Sequence, residues 1–296
     1  MKDYISLEDV VGTVILYNSS NKTFENIHTY INQVTKLYVV DNSTNYNHEL
    51  IDKISALDKV HYHSLSGNKG IAAALNWAAD QAIKDNYLVL LTMDDDTRTP
   101  DLMVEKMLDF WNQYSHKIGI LSGVHHDRPA TKAFNKVPFT LTSGNLLSLI
   151  AYKLVGSFRE DFFIDHVDHE YGFRLNKYNY DVVELPDIHL DHQLGITKNL
   201  KIGSIQLRTY GTNTPIRLYY YARNGMYISK LYFKEHPWFA WLYTKEMIRR
   251  WIKTLVLDTN RLYRARMLLK GIINGWHGNL GNYLPDLRTS DWRDKS

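Results

Sequence analysis

The sequence predicts an α/β protein built on a Rossmann-like, mainly parallel central sheet flanked by helices, and three observations point there. Short apolar runs alternate with helical patterns through the first half of the chain, as βαβ units require. Each run ends in a polar turn rich in Asn, Asp, Ser or Gly. The run Tyr87 to Met93 ends in three consecutive aspartates, Asp94-Asp95-Asp96.

Val10 to Tyr17, Lys36 to Val40, Val60 to Leu65, Tyr87 to Met93 and Ile118 to Val124 are short, largely apolar runs, so each reads as a strand. Helical stretches fall between them near residues 22–34, 47–57, 70–85 and 100–115. The third carries Ala72, Ala73, Ala74, Ala78 and Ala79, a small face that permits close packing on a sheet. Beyond residue 133 the pattern changes. Phe139 to Thr142 reads as a strand, Ser143-Gly144-Asn145 as a tight turn and Leu149 to Val155 as a short helix. An amphipathic helix over His166 to Tyr178 and a strand over Asp181 to Leu185 follow. Residues 192–216, rich in Gly, Thr, Asn and Lys, suggest a mobile loop able to close over a substrate, and the remainder is mostly helical.

At 296 residues, with 44% hydrophobic and 23% charged content, the chain has enough apolar sequence for a large buried core. It has no cysteine, so thiolate metal sites are excluded and any metal must take oxygen or imidazole ligands. The first residues lack an apolar h-region, and no apolar run approaches the roughly 20 residues needed to span a bilayer. The expectation is a soluble or peripheral protein of the cytoplasm. Between Lys245 and Lys270, eight basic residues face Glu246 and Asp258, a local +6 in a chain whose net charge is +3. The rest is net negative, which argues against nucleic acid as a partner.

In open α/β sheets ligands bind beyond the carboxyl ends of the strands. Tyr17-Asn18, Asp41-Asn42-Ser43, Gly67-Asn68-Lys69-Gly70 and the three aspartates therefore line one edge. Like charges crowded at a strand end repel unless a cation or ligand offsets them, and a divalent metal holding a diphosphate would do so. A second acidic group, Asp165, Asp168 and Glu170, follows the apolar wall Phe162-Phe163-Ile164. Asp165 and Asp168 also have the spacing of a helix-capping pair, and Glu170 with Arg174 that of an i,i+4 ion pair, which we favour for Arg174.

The ordered set Val14-Ile15-Leu16-Tyr17-Asn18, Val39 to Ser43, Asn68-Lys69-Gly70-Ile71-Ala72 with Asn76, Met93 to Asp96, Thr142 to Asn145, Phe162 to Glu170 with Arg174, His192 with Gly195, and Tyr220 to Asn224 resembles the inverting family 2 glycosyltransferases of the GT-A fold. The resemblance is strongest to their bacterial rhamnosyltransferase branch and spans about residues 11–224. Leu16 departs from it, since many members carry Thr there.

What the resemblance implies is specific. A catalytic domain would occupy 1–225, its nucleotide-binding half about 1–125 and its acceptor half about 126–225, with a helical, basic extension over 226–296. Tyr17, Asn18, Asp41, Asn68, Gly70, Asn76, Asp94 and Asp95 would contact the donor. Asp41 would accept from the base N–H, although an Asx turn explains that residue equally well. Asp94, Asp96 and His192 would hold Mn or Mg, and Asp168 would act as general base on the acceptor hydroxyl. Ser143, Gly144, Asn145, Asp165 and Glu170 would lie on the acceptor side. The implied donor is dTDP-L-rhamnose and the acceptor a saccharide or lipid-linked saccharide of the cell surface. The run Asp168 to Arg174 is also similar to galactofuranosyltransferases, which keeps UDP-sugars open as donors. A sugar nucleotidyltransferase is disfavoured, because the first turn, Tyr17 to Asn21, has no glycine to cradle a triphosphate. A non-catalytic sugar-nucleotide binder would need no base at all. The stripe Met247, Ile248, Trp251, Ile252, Leu255 and Leu262 reads either as core packing or, with the aromatic residues from Trp238 and the basic residues to Lys270, as an interfacial helix on an anionic membrane.

Overall fold

A computed structural model describes residues 4–125, 132–192, 196–202, 205–212 and 214–283, with side chains described outside 192–212. Along the chain run β1 (Val10–Leu16), α1 (Lys22–His28), β2 (Leu37–Asp41), α2 (His48–Ser55), β3 (Val60–Ser64), α3 (Ile71–Lys84), β4 (Val89–Asp94), β5 (Thr97–Arg98), α4 (Met103–Gln113), β6 (Ile118–Val124) and β7 (Asn135–Val137). There follow β8 (Asn145–Ser148), α5 (Leu149–Val155), α6 (Val167–Lys177), β9 (Asp181–His189), β10 (Asp191–His192), β11 (Ile196–Ile202), β12 (Ile205–Thr212), α7 (Pro215–Leu231), α8 (Pro237–Val256) and α9 (Arg261–His277).

Eight strands form one sheet in the order β3-β2-β1-β4-β8-β6-β9-β7. β1 pairs in parallel with both β2 and β4, and β2 with β3, so the strands before residue 95 form a parallel half-sheet. Every residue of β1, β2, β6 and β8 is buried, because helices or loops cover both faces of those strands. One core layer packs the alanine face of α3 against Val11, Ile15, Tyr38 and Val40, and continues through Phe162, Tyr171 and Phe173 into Leu218, Tyr243 and Leu268. The layer on the other face joins Ile27, Leu50, Met103 and Met107 to Val10, Val14 and Val39.

Two expectations change. Phe139 to Thr142 is not a strand; the antiparallel strand is β8, starting at Asn145 and inserted between β4 and β6. Residues 192–216 are not an irregular loop, since β11 and β12 pair as an antiparallel hairpin from Ile196↔Thr212 to Ile202↔Ile205. Residue 225 lies inside α7, and α7, α8 and α9 contribute to the same core layer as the sheet. The helical tail is thus built onto the catalytic half through shared apolar burial. Among the described residues no helix is long and apolar enough to cross a membrane.

Candidate active site

β4 delivers Asp94, Asp95 and Asp96 to the carboxyl edge of the sheet. The main-chain N–H of Asp94 donates to Ser143 Oγ at 2.9 Å, and that hydroxyl donates to Thr97 Oγ1 at 2.9 Å. Ser143, Gly144 and Asn145, expected on the acceptor side, therefore lie beneath the aspartate turn instead. Gly144 sits at φ +77°, where a Cβ would collide with Leu190, and Asn145 opens β8 beside Thr92 and Ser122. Asp95 is tied to the end of β1, its carboxylate accepting from Ser19 Oγ and its carbonyl from Asn26 Nδ2.

Asp94 is partly buried. Burial, the charges of Asp96 and Asp95, and the charge of Asp168 push its carboxyl up to about 7, with Arg217 pulling the other way. Asp168 belongs to α6, more than seventy residues later in the chain. Its charge is felt at Asp94, so the second acidic group acts electrostatically on the first across the chain.

Asp168 is 17% exposed in the first turn of α6. Its Oδ1 accepts from the main-chain N–H of His169 at 2.8 Å and pairs with His169 Nδ1 at 2.7 Å. The His169 ring stacks on Phe139 at 3.8 Å between centroids, which fixes its plane. Burial pushes Asp168 upward, but the charge and hydrogen bond of His169 outweigh it and leave the carboxyl below its usual range. It is ionised at neutral pH and can accept a proton. Asp165 does not cap the helix: the capping position is His166, in the left-handed region, with no side-chain cap bond. Burial pushes the Asp165 carboxyl up against the pull of Arg217, whose Nε lies 3.3 Å from Asp165 Oδ1.

The loop carrying these acids is strained. Phe163 has φ +65° and ψ −62°, with the Ile164 N–H returning to the Phe162 carbonyl at 2.8 Å, a γ-turn, and Asp165 and His166 are also left-handed. Buried groups from α7 hold it. Asn224 Nδ2 donates to the carbonyls of Phe162, Ile164 and Asp165, and Arg223 to those of Asp161 and Phe162. The Ile71 N–H donates to the Phe163 carbonyl at 2.9 Å. Gly70, at φ +91°, is required there because a Cβ would lie 2.6 Å from that carbonyl oxygen. The start of α3, expected to face a nucleotide, thus clamps the acid loop.

Other expected donor contacts are already engaged. Asp41 is 1% exposed, its carboxylate accepting from the Ser43 N–H at 2.9 Å and from Tyr62 Oη at 2.8 Å; the Asx-turn reading is the one observed. Asn76 is buried and bonded to Phe158, Glu160 and Tyr152, so it braces the chain before α6 rather than facing a ligand. Glu170, expected on the acceptor side, is buried between Arg174 at 2.9 Å and Tyr232 Oη at 3.0 Å; the anticipated structural role of Arg174 holds. Asn18 Oδ1 accepts from the Thr44 and Asn45 N–H groups, stapling the first turn to the second, while Tyr17 beside it is exposed. Asn68 Oδ1 accepts from the Gly70 N–H and Asn42 Nδ2. The side chain of His192 lies outside the described residues, but its main chain pairs with Thr97, next to Asp96.

Arg217 was not singled out by sequence. It stands in the first turn of α7, 49% exposed, after the Thr214 cap and Pro215. Thr-Pro marks a helix start and so places the residue locally, but nothing in the local pattern tells that this turn meets Asp165 and Asp94.

A mainly parallel sheet with an aspartate turn at its carboxyl edge, faced by a helix-borne carboxylate, is the architecture of a GT-A transferase. Residues 13–166 match the family described as Glycosyl transferase family 2, and the chain belongs to that family and is a glycosyltransferase. It is 27% identical over 240 residues to the dTDP-rhamnosyl transferase RfbF of Shigella flexneri, covering 73% of this chain and 78% of that one. Among solved structures it is similar to GalNAc-T7 with UDP, GalNAc and Mn2+, at a TM-score of 0.58 and 10% identity over 88% of this chain and 54% of that one. It is also similar to S. aureus TarS, at a TM-score of 0.50 and 16% identity; 90% of this chain is covered and only 43% of TarS.

Proposed function

We propose that the protein transfers L-rhamnose from dTDP-L-rhamnose, with inversion, to a hydroxyl of a saccharide or lipid-linked saccharide in cell-surface polysaccharide assembly, working in the cytoplasm against the inner face of the membrane. The reading is supported by the charge of Asp168 acting on Asp94, which would set a base near a leaving-group site. The relative RfbF, a dTDP-rhamnosyl transferase, supports the donor.

Inversion needs the acceptor hydroxyl to attack opposite the departing diphosphate and to lose its proton as the bond forms. Asp168, ionised and oriented by His169, takes that proton. Arg217 offers guanidinium N–H groups beside Asp94 and Asp165, suited to a phosphate oxygen or an acceptor hydroxyl. The crowded carboxylates of the aspartate turn fit a hard divalent cation. Asp94 and Asp96 would hold it, with His192, whose main chain pairs with Thr97, as a candidate ligand and diphosphate oxygens completing the set, since no three protein ligands gather among the described residues. Such a cation supplies positive charge that stabilises the leaving nucleoside diphosphate.

The test is a panel of nucleotide sugars, with manganese or with EDTA, read by calorimetry and by nucleoside-diphosphate release. Tightest binding of dTDP-rhamnose, lost in EDTA, is expected. Preference for a uridine donor would overturn the sugar assignment, and binding indifferent to EDTA would overturn the metal ligands.

A further inference from the structure

Helix α8 carries two apolar faces, where a helix packed on a domain needs one. Phe239, Tyr243 and Met247 are buried. Tyr243 Oη donates to the Ala222 carbonyl at 2.7 Å, and Phe239 meets the rings of His166, His169 and Phe173. The opposite arc, roughly 140° wide at the α-helical repeat, presents Trp241, Leu242, Ile248, Ile252, Leu255 and Val256 to solvent. Trp241 is 63%, Ile248 57% and Ile252 60% exposed. The charged residues within that arc are Lys245, over the Trp241 ring at 5.4 Å, and Arg249, 2.7 Å from Glu246 at the arc's edge; no acid lies inside it.

Charge decides what covers this face. In a symmetric pair of copies the same patch would meet itself, bringing both copies' Lys245 together with no acid inside the patch to match it, Arg249 being already held by Glu246. An anionic bilayer offers what the face lacks: a headgroup boundary for Trp and aliphatic side chains, and phosphates for the cations. We infer that α8 docks this face on a membrane containing anionic phospholipid. The inference rests on the membrane setting of the proposed function and not on the donor. It also gives α8 a double part, because its inner face supports the acid loop: Arg250 lies 3.9 Å over the Tyr221 ring, and its charge acts on Asp165. One helix would then separate the lipid surface from the catalytic loop.

The full chain is sedimented with vesicles of phosphatidylcholine alone or with roughly one-third phosphatidylglycerol. The wild type is expected to bind the anionic vesicles about tenfold or more tightly than the neutral ones. The triple variant W241Q/I248Q/I252Q should lose that binding by about tenfold or more, and K245Q/R249Q should lose the anionic preference while folding as the wild type. Nucleoside-diphosphate release with a soluble acceptor, measured on the same samples, should not change in either variant, which separates failure of docking from failure of transfer. Wild type left in the supernatant, undiminished binding by the triple variant, or a wild-type dimer that the triple variant dissolves would overturn the inference.

Discussion

Asn224 Nδ2 donates to the main-chain carbonyl of Asp165 at 2.9 Å, and the same amide reaches Phe162 and Ile164 at 2.9 and 2.8 Å. A fully buried amide thereby braces three carbonyls of the strained loop, the Phe162 carbonyl also accepting from the Ile164 N–H and Arg223. Asn224→Ala should cost about 2–4 kcal/mol in chemical denaturation, because it strands buried acceptors, and should reduce transfer more than donor binding. Unchanged stability and turnover would remove this pin from the account.

His169 lowers the Asp168 carboxyl by its charge and hydrogen bond, against burial. The base must be ionised, so transfer should be lost on the acid side as pH falls through the Asp168 value. His169→Gln removes the partner that lowers the carboxyl and so raises that value. The acid limb of the rate profile should therefore move to higher pH, with kcat at neutral pH about tenfold lower. A profile that stays in place would exclude the pairing.

Asp94, pushed up to about 7 mainly by burial and its acidic neighbours, is charged and destabilising above that pH and protonated below it. A raised carboxyl value means that the folded apo protein binds the extra proton, so this group's contribution worsens as pH rises from the usual carboxylate range through 7. Asp94→Asn should stabilise the metal-free protein by about 1–2 kcal/mol at pH 8 and by less than half of that at pH 5, while abolishing transfer. Thermal melts at the two values check this; equal effects would show that Asp94 is not crowded.

Asn76 bonds the Phe158 main chain, Glu160 and Tyr152 from inside the fold. Asn76→Ala should lower stability by about 2–3 kcal/mol and leave donor affinity unchanged in the folded fraction. A selective loss of donor binding, with normal stability, would restore the sequence expectation.

The strands β1 to β4 and β6 were legible because buried parallel strands are continuous apolar runs bounded by polar turns. β8 was not, since Asn145 to Ser148 becomes a strand only by inserting between β4 and β6, contacts that span some 20 to 60 positions. The hairpin of β11 and β12 was hidden by its polar, glycine-containing composition. At the site, the two acidic groups around Asp94 and Asp168 were legible as clusters through their spacing and ordered motifs. The inward bonding of Asn76 and Glu170 was not legible because sequence cannot show whether a polar side chain turns to a buried partner, and Arg217 was not because its carboxylate neighbour Asp165 lies 52 positions away.

The most direct test is Asp168→Asn, assayed for dTDP-rhamnose affinity by calorimetry and for sugar transfer with manganese present. The variant should bind donor as the wild type does and lose about a hundredfold or more in transfer. Near-normal transfer would mean that Asp168 is not the base and that the approach of the two acidic groups has no catalytic meaning.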